Sequence, residues 1–272
     1  ADFARQLDIF KGQTDMAPYV SLTDQRSIEI DIPRIADQRA IADVLGALDD
    51  KTAANARVVE AAESLMVNTV AAVDRWEPLS AIACHSTVSI KPEQFDKTVA
   101  HFSLPAFDAG ADPELVDGET IKSTKFVLAE RCVLFSKLNP RIPRIWNVEA
   151  LPREMALAST EFVVLIPRGA DSSALWATLA QPDVSEKLRQ MVAGTSGSHQ
   201  RIRPQDLLNV EVRDVRTLGT SAAEMVRQLS QVCYTRRQES QRLARTRDEL
   251  LPLLMSGKLR VKDAENMAAE AL

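Results

Sequence analysis

Two series of positions in this 272-residue chain advance by alternating steps of four and three. The first is Ile41, Leu45, Leu48, Thr52, Asn55, Val59, Ala62, Met66 and Thr69. The second is Met225, Leu229, Val232, Arg236, Glu239, Leu243, Thr246, Leu250 and Leu253. Each member lies 184 positions from its counterpart, from 41 and 225 through to 69 and 253. A heptad seam of this kind makes a helix that must bury one stripe against a partner, and two helices with matching seams are each other's natural partners. The chain reads as an internally duplicated protein whose halves are tied by a coiled coil.

The duplication continues upstream of both helices. Asp24, Ile28, Glu29 and Ile30 precede the first, and Asp206, Val210, Glu211 and Val212 precede the second, at an offset of 182 that Gly12 and Gly194 also keep. Each is a short alternating run of apolar and acidic residues, which predicts one β-strand per copy. One unit is therefore a loop, a strand and a long helix. The first unit holds only about thirty residues before its helix, whereas the second holds a whole globular segment, 76–218. The asymmetry implies that most of a first globular domain is missing.

Pro33 stops the first strand and Asp37 can cap the first helix, which runs to about position 73. Roughly forty residues at ~1.5 Å each give ~60 Å of helix. The sequence Trp76-Glu77-Pro78 breaks it. Within 76–218, β-like runs fall at 81–90, 125–128, 133–135 and 161–166, and helical ones at 174–179 and 184–192. A polar glycine-rich loop follows at 193–198. The second helix spans 220–255; Pro252 should kink or fray its end, and Gly257 stops it.

No run of about eighteen apolar residues is present, so no membrane span is expected. The first ten residues carry no signal-peptide pattern. Three widely spaced cysteines, Cys84, Cys132 and Cys233, point to a reducing compartment, with neither a disulfide framework nor metal-ligand spacing. The net charge of −5 argues against nucleic acid, but local charge argues for it. Lys122, Lys125, Arg131, Lys137, Arg141 and Arg144 face only Glu130; Lys187, Arg189, Arg201 and Arg203 flank the glycine-rich loop beside Glu186; and the second helix region is rich in arginine. A solvated face accounts equally well for any one of these clusters.

Four strings, in this order and spacing, resemble one family: Asp37-Gln38-Arg39-Ala40-Ile41-Ala42-Asp43-Val44-Leu45 with Leu48-Asp49-Asp50-Lys51; Leu134-Phe135-Ser136-Lys137-Leu138-Asn139-Pro140-Arg141; Gly194-Thr195-Ser196-Gly197-Ser198-His199-Gln200-Arg201-Ile202; and Arg247-Asp248-Glu249-Leu250-Leu251-Pro252-Leu253-Leu254-Met255-Ser256-Gly257-Lys258-Leu259-Arg260-Val261. Together they resemble the specificity (S) subunit of type I restriction–modification systems, over nearly the whole chain. The resemblance implies an α+β chain in which a mixed α/β target-recognition domain is flanked by two long helices packed as an antiparallel coiled coil. It implies a remnant of a first recognition domain at 1–33, a central spacer helix at 34–75, the second recognition domain at 76–218, a distal helix at 219–262 and a tail at 263–272. The implied seam is Ile41, Leu45, Leu48, Val59 and Met66 against Met225, Leu229, Val232, Leu243, Leu250 and Leu253. The antiparallel arrangement does not match the polar layers Thr52 with Arg236 and Asn55 with Glu239, which parallel stacking would pair.

The function implied is that of a DNA-reading scaffold without chemistry of its own, binding one half of a split site on double-stranded DNA in a bacterial or archaeal cytoplasm. Methyltransferase and nuclease subunits would be its partners, and S-adenosylmethionine, ATP and magnesium would belong to them. A second copy of the chain could supply the missing domain. Lys137, Arg141 and Arg144 sit where a strand yields to a proline-punctuated loop, suited to phosphate or guanine edges. Ser196, Ser198, His199, Gln200, Arg201 and Arg203 lie on a loop whose small residues permit close approach, and Gln200 could pair with adenine. Lys122 and Lys125 are weaker candidates. A packed core is the commoner setting for Trp146 and Trp176. Two other readings stay open: a coiled-coil adaptor that binds only protein, and a hydrolase using Ser196, His199 and Asp206, although no nucleophile elbow surrounds Ser196. No Gly-x-Gly follows a strand, so no nucleotide or S-adenosylmethionine site is expected in this chain, and His85 beside Cys84 lacks further metal ligands.

Overall fold

The computed structural model describes residues 2–10, 19–29, 32–139, 142–192 and 201–271. The chain begins with α1 (Asp2–Phe10), α2 (Leu22–Arg26) and the long helix α3 (Ile35–Ala71). The head then runs β1 (Trp76–Pro78), α4 (Leu79–Ile82), β2 (Ala83–Ser86), β3 (Ser89–Ile90), β4 (Thr98–Phe102), α5 (Leu104–Asp108), β5 (Glu114–Asp117) and β6 (Lys125–Val127). It continues with β7 (Cys132–Ser136), β8 (Ile145–Val148), β9 (Met155–Ala158), β10 (Phe162–Pro167), α6 (Ser172–Leu179), α7 (Pro182–Val192), α8 (Pro204–Leu208) and β11 (Glu211–Arg213). The second long helix, α9 (Thr220–Met255), and α10 (Val261–Ala271) close the chain. Two compact units divide it: Ala1–Lys51 with Arg242–Leu272, and Thr52–Gln241. Both long helices contribute to both units. No helix among the described residues is long and apolar enough to cross a membrane.

In the first unit, Ile41, Val44 and Leu48 of α3 bury themselves with Leu243, Leu250 and Leu254 of α9 and with Ala264 and Ala268 of α10. Arg247 Nη1 donates to Asp49 Oδ1 at 3.0 Å. Residues 263–271, expected as a tail, belong to α10, whose alanines let it pack closely into this core. Gly257, at φ +67, stops α9: Lys258 N–H donates back to Leu253 O at 3.0 Å. Pro252 lies in the last turn of α9 and the helix runs on to Met255. The strand expected around Ile28 to Ile30 is absent at Ile28 and Glu29; Ile30 and Gly12 lie outside the described residues. The side-chain amide of Gln6 takes both backbone groups of Glu29, accepting from its N–H at 2.9 Å and donating to its carbonyl at 2.8 Å, in place of a strand partner.

In the second unit, the middle segments of α3 and α9 run in opposite directions. Asn55 Nδ2 meets Ser240 Oγ at 3.3 Å, the Cys233 thiol meets Val59 O, and Arg237 is ion-paired with Glu63. From Asn55 with Ser240 to Glu63 with Arg237 one partner number rises as the other falls, so the helices are antiparallel and the 184-residue offset does not hold along them. Thr52 does not face Arg236, which instead pairs with Glu239 on its own helix at 2.6 Å.

The seam of α3 falls where the heptad places it: Ile41, Leu48, Val59 and Met66 are buried, with Leu45 packed at the edge. On α9 the inward face is shifted. Leu243 and Leu250 are buried and Leu229 is partly so, but Met225 (45% exposed), Val232 (39%) and Leu253 (38%) face outward. Val226, Ser230, Cys233 and Leu254, each one residue further on, face inward. The head explains the shift at its end of the helix, because α9 packs on the head as well as on α3. Asn147 of β8 donates to Ser230 Oγ at 2.8 Å, and Ser230 donates to the buried carboxylate of Glu149 at 2.8 Å.

The head is layered. A four-stranded sheet, ordered β2-β10-β7-β8, is antiparallel throughout. A five-stranded sheet, ordered β3-β6-β9-β4-β5, is mixed, with β4 and β9 parallel. Successive residues of a strand face opposite sides, so a strand buried on both sides feeds two cores. Val133 and Phe135 of β7, with Val163 and Leu165 of β10, join a core shared with the helices. Cys132 and Leu134, with Phe162 and Val164, join a second core between the sheets, where Trp146 lies 4.8 Å from Phe102. Val99, Ile121 and Leu157 form a third, on the far side of the five-stranded sheet.

The chain enters and leaves the head through one short ladder, β1 with β11, in which Trp76 pairs with Arg213. Beside it, Asp214 is almost fully buried and held by Arg216 through two bonds of 2.6 and 3.0 Å, with Arg75 at 3.3 Å. The Arg216 guanidinium keeps this carboxyl below the usual range.

Leu250→Ala should cost about 3 kcal/mol in denaturant unfolding, whereas Leu253→Ala should change stability by no more than about 0.5 kcal/mol. Equal costs would contradict the observed phase of the seam. Asp214→Ala should cost about 2 kcal/mol at pH 7, since it removes the charge-assisted hydrogen bonds that Arg216 makes to a buried carboxylate. Because the folded-state pKa of Asp214 is depressed, its stabilisation is complete above the ordinary carboxylate value near 4 and fades as pH falls through the lower folded-state value. The stability difference between the wild type and the alanine variant should therefore shrink below about pH 4; a difference constant down to pH 2 would contradict this.

Candidate nucleic-acid interface

β7 and β8 form a hairpin whose loop is closed by Ser136 N–H donating to Arg144 O at 2.9 Å. Its first residues are fixed by their own side chains and by two neighbouring segments. Ser136 Oγ accepts from Leu138 N at 3.1 Å. Lys137 N–H donates to Glu161 O at 2.8 Å, and Ile202 N–H donates to Lys137 O at 2.8 Å. Leu138 and Arg201 form an isolated antiparallel bridge. Backbone hydrogen bonds thus join two segments that the sequence separates by more than sixty residues, the hairpin loop and the stretch entering α8. Asn139 takes the left-handed conformation, at φ +50, where the loop turns.

Lys137 and Arg201 come together here. The Lys137 ammonium donates to Thr160 O at 2.7 Å and lies 5.5 Å above the Phe126 ring, which His85 meets edge-on at 6.4 Å. Burial lowers the Lys137 pKa, with Arg201 adding to the effect and Glu161 opposing it. Burial and the Lys137 charge both keep His85 biased toward its neutral form. Arg201 is exposed and donates through Nη2 to Glu161 Oε1 at 3.1 Å. Arg203 is exposed at the N-cap of α8 and makes no ion pair among the described residues.

The other sequence-derived candidates are placed differently. Arg144, at the far end of the hairpin loop, makes a two-point pair with Asp108 of α5 at 2.7 and 3.0 Å, which holds that carboxyl below its ordinary value. Lys125 is a correction. Only 7% exposed, it bonds Ser123 Oγ at 2.6 Å, and burial lowers its pKa. It lies on the face of β6 opposite Phe126, because strand residues alternate. Lys122 is exposed but turned back onto Glu119 O. Arg141, Ser196, Ser198, His199 and Gln200 lie outside the described residues. Trp146 is buried in the core between the sheets. Trp176 donates to Ile145 O at 3.0 Å, and both line a cleft of about 370 Å³ beside Glu63 and Arg237 rather than the basic surface.

Sequence reasoning missed the two acids, Asp108 and Glu161, that engage Arg144 and Arg201. They are 36 and 40 residues from the arginines they hold, and no local pattern links them. Phe126 was missed for the same reason. No three His, Cys, Asp or Glu side chains among the described residues are grouped as a metal site requires.

No protein-family model matches the sequence, and no curated protein matches it. Solved structures do. The type I restriction–modification system S subunit from M. genitalium aligns at 15% identity over 92% of this chain and 69% of that one, with a TM-score of 0.53. The fold is that of a type I S subunit. The HsdS subunit from Thermoanaerobacter tengcongensis aligns at 17% identity over 94% of this chain and 67% of that one, with a TM-score of 0.37. A chain from a structural study of complex assembly and conformational transition in the type I R-M system aligns at 17% identity over 97% and 68%, with a TM-score of 0.42. At these identities the likeness is one of fold, and the M. genitalium S subunit is the structure that carries it.

Proposed function

We propose that this chain is a DNA-reading specificity subunit of a type I restriction–modification complex, binding one half of a bipartite site on double-stranded DNA. The observation that carries the reading is the joining of two basic loops at one edge of a head with the S-subunit fold, with Lys137 and Arg201 on the joined strands. Backbone bonding of residues 137–138 to 201–202 presents Lys137 and Arg201 at a fixed spacing, as register on a phosphate backbone requires. The overall negative charge then serves to keep other faces away from DNA.

The chemistry is assigned to methyltransferase and nuclease subunits, with S-adenosylmethionine, ATP and magnesium bound there. A surface for such subunits is supported by apolar side chains that the chain itself leaves uncovered. Val58 and Leu65 lie seven apart on α3, and Met225 and Val232 lie seven apart on α9, all of them exposed. A heptad stripe on the outer face of a helix fits a further helix laid against it. The same stripes would serve a protein-only adaptor, so DNA binding is the property to measure.

With the full chain and a labelled duplex of mixed sequence, affinity should fall steeply with salt, because bound phosphates release their counterions. Lys137→Ala and Arg203→Ala should each weaken binding and flatten the plot of log affinity against log salt by about 0.9 for every phosphate left unneutralised. Unchanged affinity and slope in both variants at matched salt would contradict the assignment. Salt-independent behaviour of the wild type would favour the adaptor.

A further inference from the structure

Arg201 is the exposed guanidinium of the joined loops, and it is engaged by an acid. Glu161 lies in the turn between β9 and β10, where its backbone has little freedom. Its carbonyl accepts from Lys137 N, its N–H donates to Ser159 Oγ at 3.3 Å, and Phe162 N–H closes the turn onto Ser159 O at 3.0 Å. One carboxylate oxygen accepts from Arg201 Nη2. The other, Oε2, is shut off from solvent and has no hydrogen-bond partner among the described residues. With one oxygen shut off from water, the carboxylate acts on Arg201 with less screening than a fully exposed one would. The Arg201 bond is made by one nitrogen only, so the guanidinium keeps its remaining N–H groups free to meet a ligand.

We propose that Glu161 is a specificity-determining residue that holds Arg201 back from non-specific phosphate. The inference rests on the DNA-binding reading above. A phosphate met at arbitrary sequence must bind a guanidinium whose charge Glu161 already partly neutralises, so that contact gains less than it would at an unpaired arginine. A correctly seated half-site offers a guanine edge or a fitted backbone that engages the free side of the fork. Glu161 therefore weakens binding to arbitrary sequence while leaving Arg201 oriented for the correct one. In the same arrangement, the backbone of Lys137 is bonded to that of residue 161, so the acid and both cations lie side by side.

The test uses the full chain, a mixed-sequence duplex and four proteins: wild type, Glu161→Gln, Arg201→Ala and the double variant. Glu161→Gln should tighten mixed-sequence binding about threefold, the scale of one exposed ion pair, and steepen the salt slope by about 0.9, the signature of one more neutralised phosphate. The gain should vanish when Arg201 is already alanine. A merely structural Glu161 predicts the opposite: weaker binding with a lowered thermal midpoint. Unchanged or weaker binding in Glu161→Gln, or the same gain in the Arg201→Ala background, overturns the proposal while the wild type still binds. Absence of salt-dependent binding by the wild type overturns the DNA-binding reading itself, so the two failures are told apart.

Discussion

Within residues 52–241, Val59, Ala62, Met66 and Val70 of α3 and Val226 and Cys233 of α9 are buried in one cluster with Val133, Phe135, Val163 and Leu165 of the head's four-stranded sheet. The head has no separate core on that side; the helix pair is its second layer. Burying each large apolar side chain is worth about 1.5–3 kcal/mol, so the head cannot swivel on these helix segments without exposing several of them at once. The hydrogen bonds among Asn147 and the buried Ser230 and Glu149 add direction to this adhesion, since hydrogen bonds require a fixed approach where apolar packing does not. The hairpin carrying Lys137 and Arg144 grows out of strands anchored in that core, which gives the basic loops a fixed bearing relative to the helices beneath them.

Electrostatics at the loops follows from pairing rather than from charge count. Arg144 is committed to Asp108 and Arg201 to Glu161, while Lys137 is anchored on a carbonyl above an aromatic ring. A basic cluster that looks uniform in sequence is thus graded in space, from locked at Arg144 to partly engaged at Arg201 to exposed at Arg203. Such grading separates the residues that position a surface from those free to meet a ligand.

The heptad series were enough to locate α3 and α9, because a seam repeated over many turns admits few other structures. They were not enough to fix which face of α9 turns inward. The seam assumed one partner, whereas residues 226, 230 and 233 answer to both α3 and the head, and the helix rolls by one position to satisfy both. β7 and β10 were legible as apolar runs, since both of their faces are buried. β4, β5, β8 and β9 are short and embedded among polar turns, and their pairing is set by distant segments that no local pattern records. Where a strand was expected near Glu29, the backbone groups of that residue bond instead to the side-chain amide of Gln6, 23 residues away. The candidate site was half legible: residue types and loops could be named, but the bridge between Leu138 and Arg201 and the acids that hold the arginines could not.

Amide hydrogen exchange of the full chain with and without duplex DNA tests most directly whether the two joined loops act as one DNA-facing surface. The account predicts that exchange slows on DNA addition at residues 137–139 and 201–203 together, and is unchanged at 119–125. Slowing confined to 119–125, or at one of the joined loops without the other, would contradict it.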